Sequence, residues 1–153
     1  MSRVVEDAAG TSRSRVSGTA LVELEQLVVD YVMENRTVRA IDHVDLTIHT
    51  GEIVGLAGES GCGKSTTGNA ILQILRPPAQ VTSGRVLFRG EDLTKLRGDE
   101  LRKFRWRNVS MVFQSAMNAL NPVMRVGDQF ADMMQAHERI DKKRALAQAG
   151  ELL

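Results

Sequence analysis

A glycine-rich stretch set between an apolar run and a helical pattern constrains this chain more than any other feature. The stretch is Gly58-Glu59-Ser60-Gly61-Cys62-Gly63-Lys64-Ser65. It is entered from Ile53-Val54-Gly55-Leu56-Ala57, an apolar run of the kind expected of a strand covered on both faces. It is left by Ala70, Ile71, Ile74 and Leu75 at helical spacing, with Pro77-Pro78 to stop that helix. Strand, glycine loop and helix in this order make a cradle for phosphate. Gly58, Gly61 and Gly63 let the backbone take conformations closed to other residues and approach a ligand closely. Successive N–H groups can then turn inward as an anion-binding nest, with the positive end of the helix dipole behind them. In such a loop Lys64 serves the β- and γ-phosphates and the Ser65 hydroxyl holds Mg²⁺. Ser60 lies within the loop, and Thr66 can add a backbone or hydroxyl contact. Cys62 is either a small residue that fits there or a thiol that bound nucleotide would shield. The implied ligand is the phosphate tail of a nucleotide, with Mg-ATP the leading choice.

Around the loop the chain alternates between strands and helices, an α/β order. Leu27, Val29, Tyr31 and Met33 alternate with Asp30 and Glu34, and Val44, Leu46 and Ile48 alternate with Asp45, Thr47 and His49. These predict two strands, with Glu34-Asn35-Arg36-Thr37 as the turn. Gly84 opens a further strand over 85–88, which Arg89-Gly90-Glu91-Asp92 turns. A charged helix is expected over 99–104, and a buried strand over Val109-Ser110-Met111-Val112-Phe113, ending at Gln114. Two helices follow, over 126–137 and 141–153. Residues 1–20 are rich in Ser, Thr, Gly and Arg and read as a disordered tail, leaving 21–153 as one domain.

A net charge of +1 supplies no strong field for nucleic acid. The run Lys95, Arg97, Arg102, Lys103, Arg105 and Arg107 is interrupted by Asp99 and Glu100 and poor in aromatic residues, so it reads as a solvated helix face. One cysteine excludes an intramolecular disulfide and a zinc–thiolate cluster. No stretch approaches the roughly 20 apolar residues that span a bilayer. His43, His49 and His137 read as solvent-facing.

Three features separate the possible classes of phosphate-binding chain. Tyr31, the single tyrosine, lies on a strand upstream of the loop, where it either stacks on a base or fills the core beside Leu27 and Val29. Antiparallel-looking material precedes the loop, which a simple kinase fold does not need. Met111-Val112-Phe113-Gln114 is followed by Leu120-Asn121-Pro122. With these and Gly90-Glu91-Asp92-Leu93, the sequence from about Leu21 to Leu153 resembles the ATP-binding subunits of ABC transporters, most of all the branch that imports oligopeptides and dipeptides.

The resemblance implies a P-loop NTPase core of the ABC ATPase type with an antiparallel β subdomain. It makes Tyr31 the adenine-stacking aromatic, Gly58 to Thr66 the Walker A loop, and Gln114 the Q-loop glutamine that contacts Mg²⁺ and the attacking water. Without the family pattern, Gln114 reads as an exposed polar strand end. Implied partners are transmembrane permease subunits, a second ATPase subunit and, indirectly, a solute-binding protein, with no nucleic acid. The implied location is the cytoplasmic face of the membrane. Ser115-Ala116 depart from the acidic residue and proline common at that point in peptide importers, which leaves sugar oligomers open as cargo. The signature motif, the Walker B aspartate, the catalytic glutamate and the switch histidine do not follow Gln114. The chain is therefore expected to form the N-terminal part of such a domain, incomplete at its C-terminal side, binding ATP with little hydrolysis. Other classes would be a non-transport ABC protein or a different P-loop enzyme such as a small-molecule kinase.

Overall fold

A computed structural model describes residues 3–4, 18–112, 120–138 and 140–152 of the chain, which divide into two compact units, Met1–Arg97 and Gly98–Leu153. The first unit is built on a four-stranded antiparallel sheet. Its long hairpin comprises β2 (Ala20–Met33) and β3 (Arg36–His49), and β5 (Ala79–Phe88) and β6 (Glu91–Asp92) complete the order β3-β2-β5-β6. The hairpin loop is Glu34-Asn35, so Met33 pairs with Arg36 and Tyr31 with Val38. This is two residues tighter than the expected turn. Arg89 and Gly90, both at positive φ, reverse the chain between β5 and β6.

The central strand β2 contributes Leu24, Leu27, Val28 and Val29 to the core, joined there by Ile41, Val86 and Leu93. Leu27, Val28, Val29 and Asp30 are buried consecutively, which strict alternation forbids. Register shifts account for it. They fall between Leu24 and Leu27, Leu27 and Val29, and Val29 and Asp30 against β3, and between Glu25 and Val29 against β5. At the first of these bulges Gln26 takes φ 46, and its N–H donates to Asp45 Oδ1 at 2.7 Å. Opposite it, Gly84 (φ 81) is obligatory, because a Cβ there would lie 2.2 Å from the Gln26 carbonyl oxygen. Gly84 thus sits inside β5 as a bulge residue and does not open the strand.

The strand predicted at 53–57 shrinks to β4 (Val54–Gly55), paired in parallel with β1 (Arg3–Val4). Apart from those two residues, the tail predicted over 1–20 lies almost wholly outside the described residues. Ile53 and Leu56 are 70% and 49% exposed. A parallel strand is buried when neighbours flank it and helices cover it, and among the described residues β4 has only its two-residue partner. Helix α1 (Lys64–Ile71) ends before the expected Leu75, because Gln73 at φ 54 turns the chain out and its side chain caps the Ala70 carbonyl at 2.7 Å.

The second unit is helical: α2 (Gly98–Asn108), α3 (Val126–His137) and α4 (Lys142–Leu152). Ala131 and Met134 of α3 pack on Ala145 of α4, with Ile140 beside them, and Asp128 pairs with Lys142 at 2.8 Å. His137 stacks on Trp106 of α2 with centroids 4.4 Å apart, and His49 pairs with Glu52 at 3.1 Å, so neither is simply solvent-facing. His43 is exposed, with Nδ1 2.8 Å from Asp42 Oδ1. The predicted strand over 109–113 does not form across 109–112. Val112 is 87% exposed, and no described strand pairs with it; β propensity without a partner strand leaves the segment irregular. Phe113 and Gln114 lie outside the described residues.

Candidate nucleotide-binding site

The glycine loop folds as its composition dictates. Gly58, Gly61 and Gly63 take φ of 153, 86 and 93, all in the range that disfavours other residues. Gly63 is the N-cap of α1, which has no side-chain cap and no acidic residue in its first turn. A helix end left without a cap or an acid keeps both its N–H donors and its dipole for an external anion. The loop curls on itself through Cys62 N–H to Glu59 O at 3.3 Å, and Thr67 closes the first helical turn onto Gly63 O with its N–H at 2.8 Å and its hydroxyl at 3.0 Å.

The Lys64 ammonium lies inside this curl. It donates to the carbonyls of Gly58 at 2.8 Å and Glu59 at 2.7 Å, and its Nζ is 3.5 Å from Cys62 Sγ. An ammonium held by neutral carbonyls gains when an anionic phosphate oxygen offers a charge-assisted bond in the same place. Cys62 itself is exposed.

A cavity of about 470 Å³ opens beside the loop, lined by Ser60, Gly61, Gly63, Lys64, Ser65 and Thr66 on one side and by Tyr31, Val38, Arg39 and Ala40 of the hairpin on the other. That size suits a nucleotide. The hairpin reaches the loop because β3 passes directly under it. A Cβ on Gly63 would lie 2.7 Å from the Ala40 carbonyl oxygen, so only glycine admits the approach. Tyr31 is half-buried, its hydroxyl 3.5 Å from Thr66 Oγ1 on α1. Tyr31 thus borders the cavity and, being only half-buried, is not wholly a core residue beside Leu27 and Val29.

Of the residues singled out in the sequence, Tyr31, Ser60, Gly61, Gly63, Lys64, Ser65 and Thr66 share the cavity wall. Gly58 and Cys62 shape the loop from behind, and Gln114 lies outside the described residues. Val38, Arg39 and Ala40 were not anticipated. Among the described residues no group of three or more His, Cys, Asp or Glu side chains could hold a metal; the Ser65 hydroxyl stands in the cavity wall and is an oxygen donor of the kind a hard divalent cation accepts. A single hydroxyl would fit Mg²⁺, which keeps water and phosphate oxygens in its shell.

Asp30, 5% exposed and next to Tyr31, falls by sequence on the polar phase of an alternating strand. It is instead buried between its two neighbouring strands. It accepts from Thr82 Oγ1 of β5 at 2.7 Å and from Arg39 Nε of β3 at 3.1 Å, and Arg39 also binds Asp42 at 2.9 Å. The Thr82 hydroxyl first, and then Arg39, hold the Asp30 carboxyl below its ordinary 3.8.

The chain is similar to known proteins. A family described as ABC transporter matches residues 41–152. The chain is 40% identical over 126 residues to the dipeptide transport ATP-binding protein DppD of Bacillus subtilis, covering 82% of this chain and 38% of that protein. It is 38% identical over 136 residues to the oligopeptide transport ATP-binding protein OppD of the same organism, covering 88% and 38%. The probable D,D-dipeptide transport ATP-binding protein DdpD of Escherichia coli is 40% identical over 134 residues, with 87% and 41% covered. Among solved structures, the dimer of MJ0796, a bacterial ABC transporter cassette, superposes with a TM-score of 0.71 at 27% identity over 86% of this chain and 55% of that one. The same cassette in a post-hydrolysis state bound to ADP and Pi gives 0.67 at 29% identity, over 83% and 55%. The chain spans about two fifths of the length of these curated relatives.

Proposed function

The chain belongs to the ABC transporter family and has the α/β fold of its ATPase cassettes; from that premise we propose that it forms the ATP-binding part of a subunit powering the import of peptides or related small oligomers. The observation that carries this reading is the cavity itself, with an uncapped helix end and Lys64 on one wall and Tyr31 on the other. It accommodates the two chemically distinct ends of a nucleotide. Lys64 and the loop N–H groups bind and neutralise the triphosphate. Ser65 would hold Mg²⁺, which would supply charge neutralisation at the transferring phosphoryl group. The face of Tyr31 excludes water from one side of the adenine ring, a contact worth about 1–3 kcal/mol for stacked bases.

As a Q-loop glutamine, Gln114 orients the attacking water and begins the segment that meets the permease subunits. Two ATPase subunits close on two ATP molecules at the cytoplasmic face of the membrane. The support for peptide cargo is the naming of the relatives, three of which carry dipeptide or oligopeptide transport in their descriptions.

The test is calorimetry of Mg-ATP on the purified chain beside Lys64→Ala, with phosphate release followed in the same samples. Binding that Lys64→Ala removes, with almost no release, is the expected result. Brisk turnover by the wild-type chain would instead make it a self-contained P-loop enzyme. A chain that is folded by circular dichroism yet silent to Mg-ATP would sink the reading.

A further inference from the structure

Among the described residues of the first unit Asp30 is the one buried carboxylate, and it is not itself in the cavity wall, although its partner Arg39 is. Burying a charge is costly unless it is paired and hydrogen-bonded, so a buried aspartate on a strand that could carry valine calls for a reason. Its position supplies one. It stands on the central strand β2, opposite Arg39 of β3 and Gln80 of β5, immediately after the last register shift between β2 and β3. Tyr31 is the next residue along, opposite Val38 and Ala79.

Bulges make register negotiable. Slipping a strand by one residue sends every following side chain to the other face of the sheet. Three shifts within β2, between Leu24 and Asp30, leave the pairing beyond them poorly specified by the apolar pattern alone, since Leu27, Val28 and Val29 are buried in succession. A slip at Asp30 would turn Tyr31 away from the cavity and break its 3.5 Å approach to Thr66.

The Asp30 carboxylate opposes that slip from both sides. One oxygen binds Arg39 Nε at 3.1 Å and the other the Thr82 hydroxyl at 2.7 Å, so a single side chain ties β2 to both neighbouring strands at the level where alternation resumes. Asp42 holds the Arg39 guanidinium from its other side at 2.9 Å. Alternation then places Tyr31 on the opposite face from Asp30, toward the loop.

We propose that Asp30 is a positioning residue for base recognition: by pinning the register of β2 between Arg39 and Thr82, it fixes which face Tyr31 presents and so sets the affinity of the site for the base, not for the phosphates. This rests on the reading that Tyr31 stacks on the base of a bound nucleotide.

The test compares Mg-ATP with inorganic triphosphate, which shares the phosphate tail and lacks the base, by calorimetry on the whole chain. The variants are Asp30→Ala, Thr82→Val, Tyr31→Ala and the Asp30→Ala/Tyr31→Ala pair. Tyr31→Ala alone examines the stacking reading: it should weaken ATP by about 5- to 150-fold and leave triphosphate unchanged. Asp30→Ala should weaken ATP by a factor within that range, leave triphosphate unchanged, and add nothing once Tyr31 is gone. Thr82→Val, at a residue outside the cavity wall, should repeat the pattern to a smaller extent, and it decides the matter alone if Asp30→Ala does not fold. A merely structural aspartate would lower ATP and triphosphate affinity by the same factor. That outcome, an unchanged ATP affinity, or an Asp30 effect that persists without Tyr31 overturns the proposal. Selective loss in Tyr31→Ala with none in the Asp30 and Thr82 variants would overturn it while leaving the stacking reading intact.

Discussion

Replacing Gly63 by alanine would put a methyl carbon 2.7 Å from the Ala40 carbonyl oxygen, closer than side chains come to a backbone oxygen in folded proteins. The residue also sits at φ 93, where alanine is strained. Gly61, two residues earlier, isolates the second effect from the first: it has φ 86, but a Cβ there meets nothing within 4 Å. Left-handed strain costs about 1–2 kcal/mol for a residue with a Cβ. Forcing β3 away from the loop should add about 1–3 kcal/mol, in line with other overpacked sites. Gly61→Ala should therefore lose about 1–2 kcal/mol and Gly63→Ala about 2–5 kcal/mol, a large share of the ~5–15 kcal/mol that holds a domain together. Urea unfolding followed by circular dichroism, with the two variants beside wild type, measures both. Equal losses at the two positions would refute the idea that contact between the Ala40 carbonyl and the loop fixes the hairpin against the phosphate cradle. A harmless Gly63→Ala would refute it outright.

Two further outcomes concern the core and the charges around it. Leu27→Ala, at a position with no exposure on the central strand, should cost about 2–5 kcal/mol in the same urea assay, since β2 is flanked on both sides and cannot collapse into the space. Asp30 has its folded-state carboxyl held below 3.8 by Thr82 and then Arg39, so its stabilising effect is complete above that value and fades as pH falls through the folded one. The urea midpoint should thus drop as the solution is acidified below about 4, and Asp30→Asn should flatten part of that slope; an unaltered slope would show that Asp30 does not titrate with unfolding.

What could be read in the sequence followed the strength of its local signals. Helix α3 stands at Val126–His137 as the spacing predicts, and the glycine loop stands where its residues place it, because neither needs distant partners to be recognised. Strand β2 was recognised only from Leu27 onward. The bulge at Gln26 shifts the phase of alternation, so Val22 and Leu24 fall out of step with Leu27 and Val29. The burial of Asp30 was hidden by a two-residue error in the turn. A loop of four, Glu34 to Thr37, sets Asp30 opposite Ile41, whereas the observed loop of Glu34-Asn35 sets it opposite Arg39 and supplies the missing counter-charge. Choosing the tighter hairpin would also have brought Val38 opposite Tyr31 and into the cavity wall. The apolar run at 53–57 and the described part of the next, 109–112, depart from expectation for the opposite reason: both have strand composition, but pairing comes from elsewhere in a sheet and no local pattern supplies it.

The pairing of β2 with β5 also sets an order of events when the chain first folds. Everything from the hairpin turn through β4, the glycine loop and α1 lies between Tyr31 and its β5 partner Ala79, so the phosphate cradle belongs to a long loop that this pairing closes. The β2–β3 hairpin can zip within about 1–10 μs of its emergence. At ~5–20 residues per second, however, β5 leaves the ribosome several seconds behind it. Until then the edge of β2 that β5 covers is unpaired and the core unclosed, and Thr82 is not yet available to Asp30. Nucleotide can favour the folded form only by binding a finished site, so its help comes after β5 docks and not before. A nascent chain stalled short of Phe88 should therefore gain no protection from ATP, while one released beyond it should.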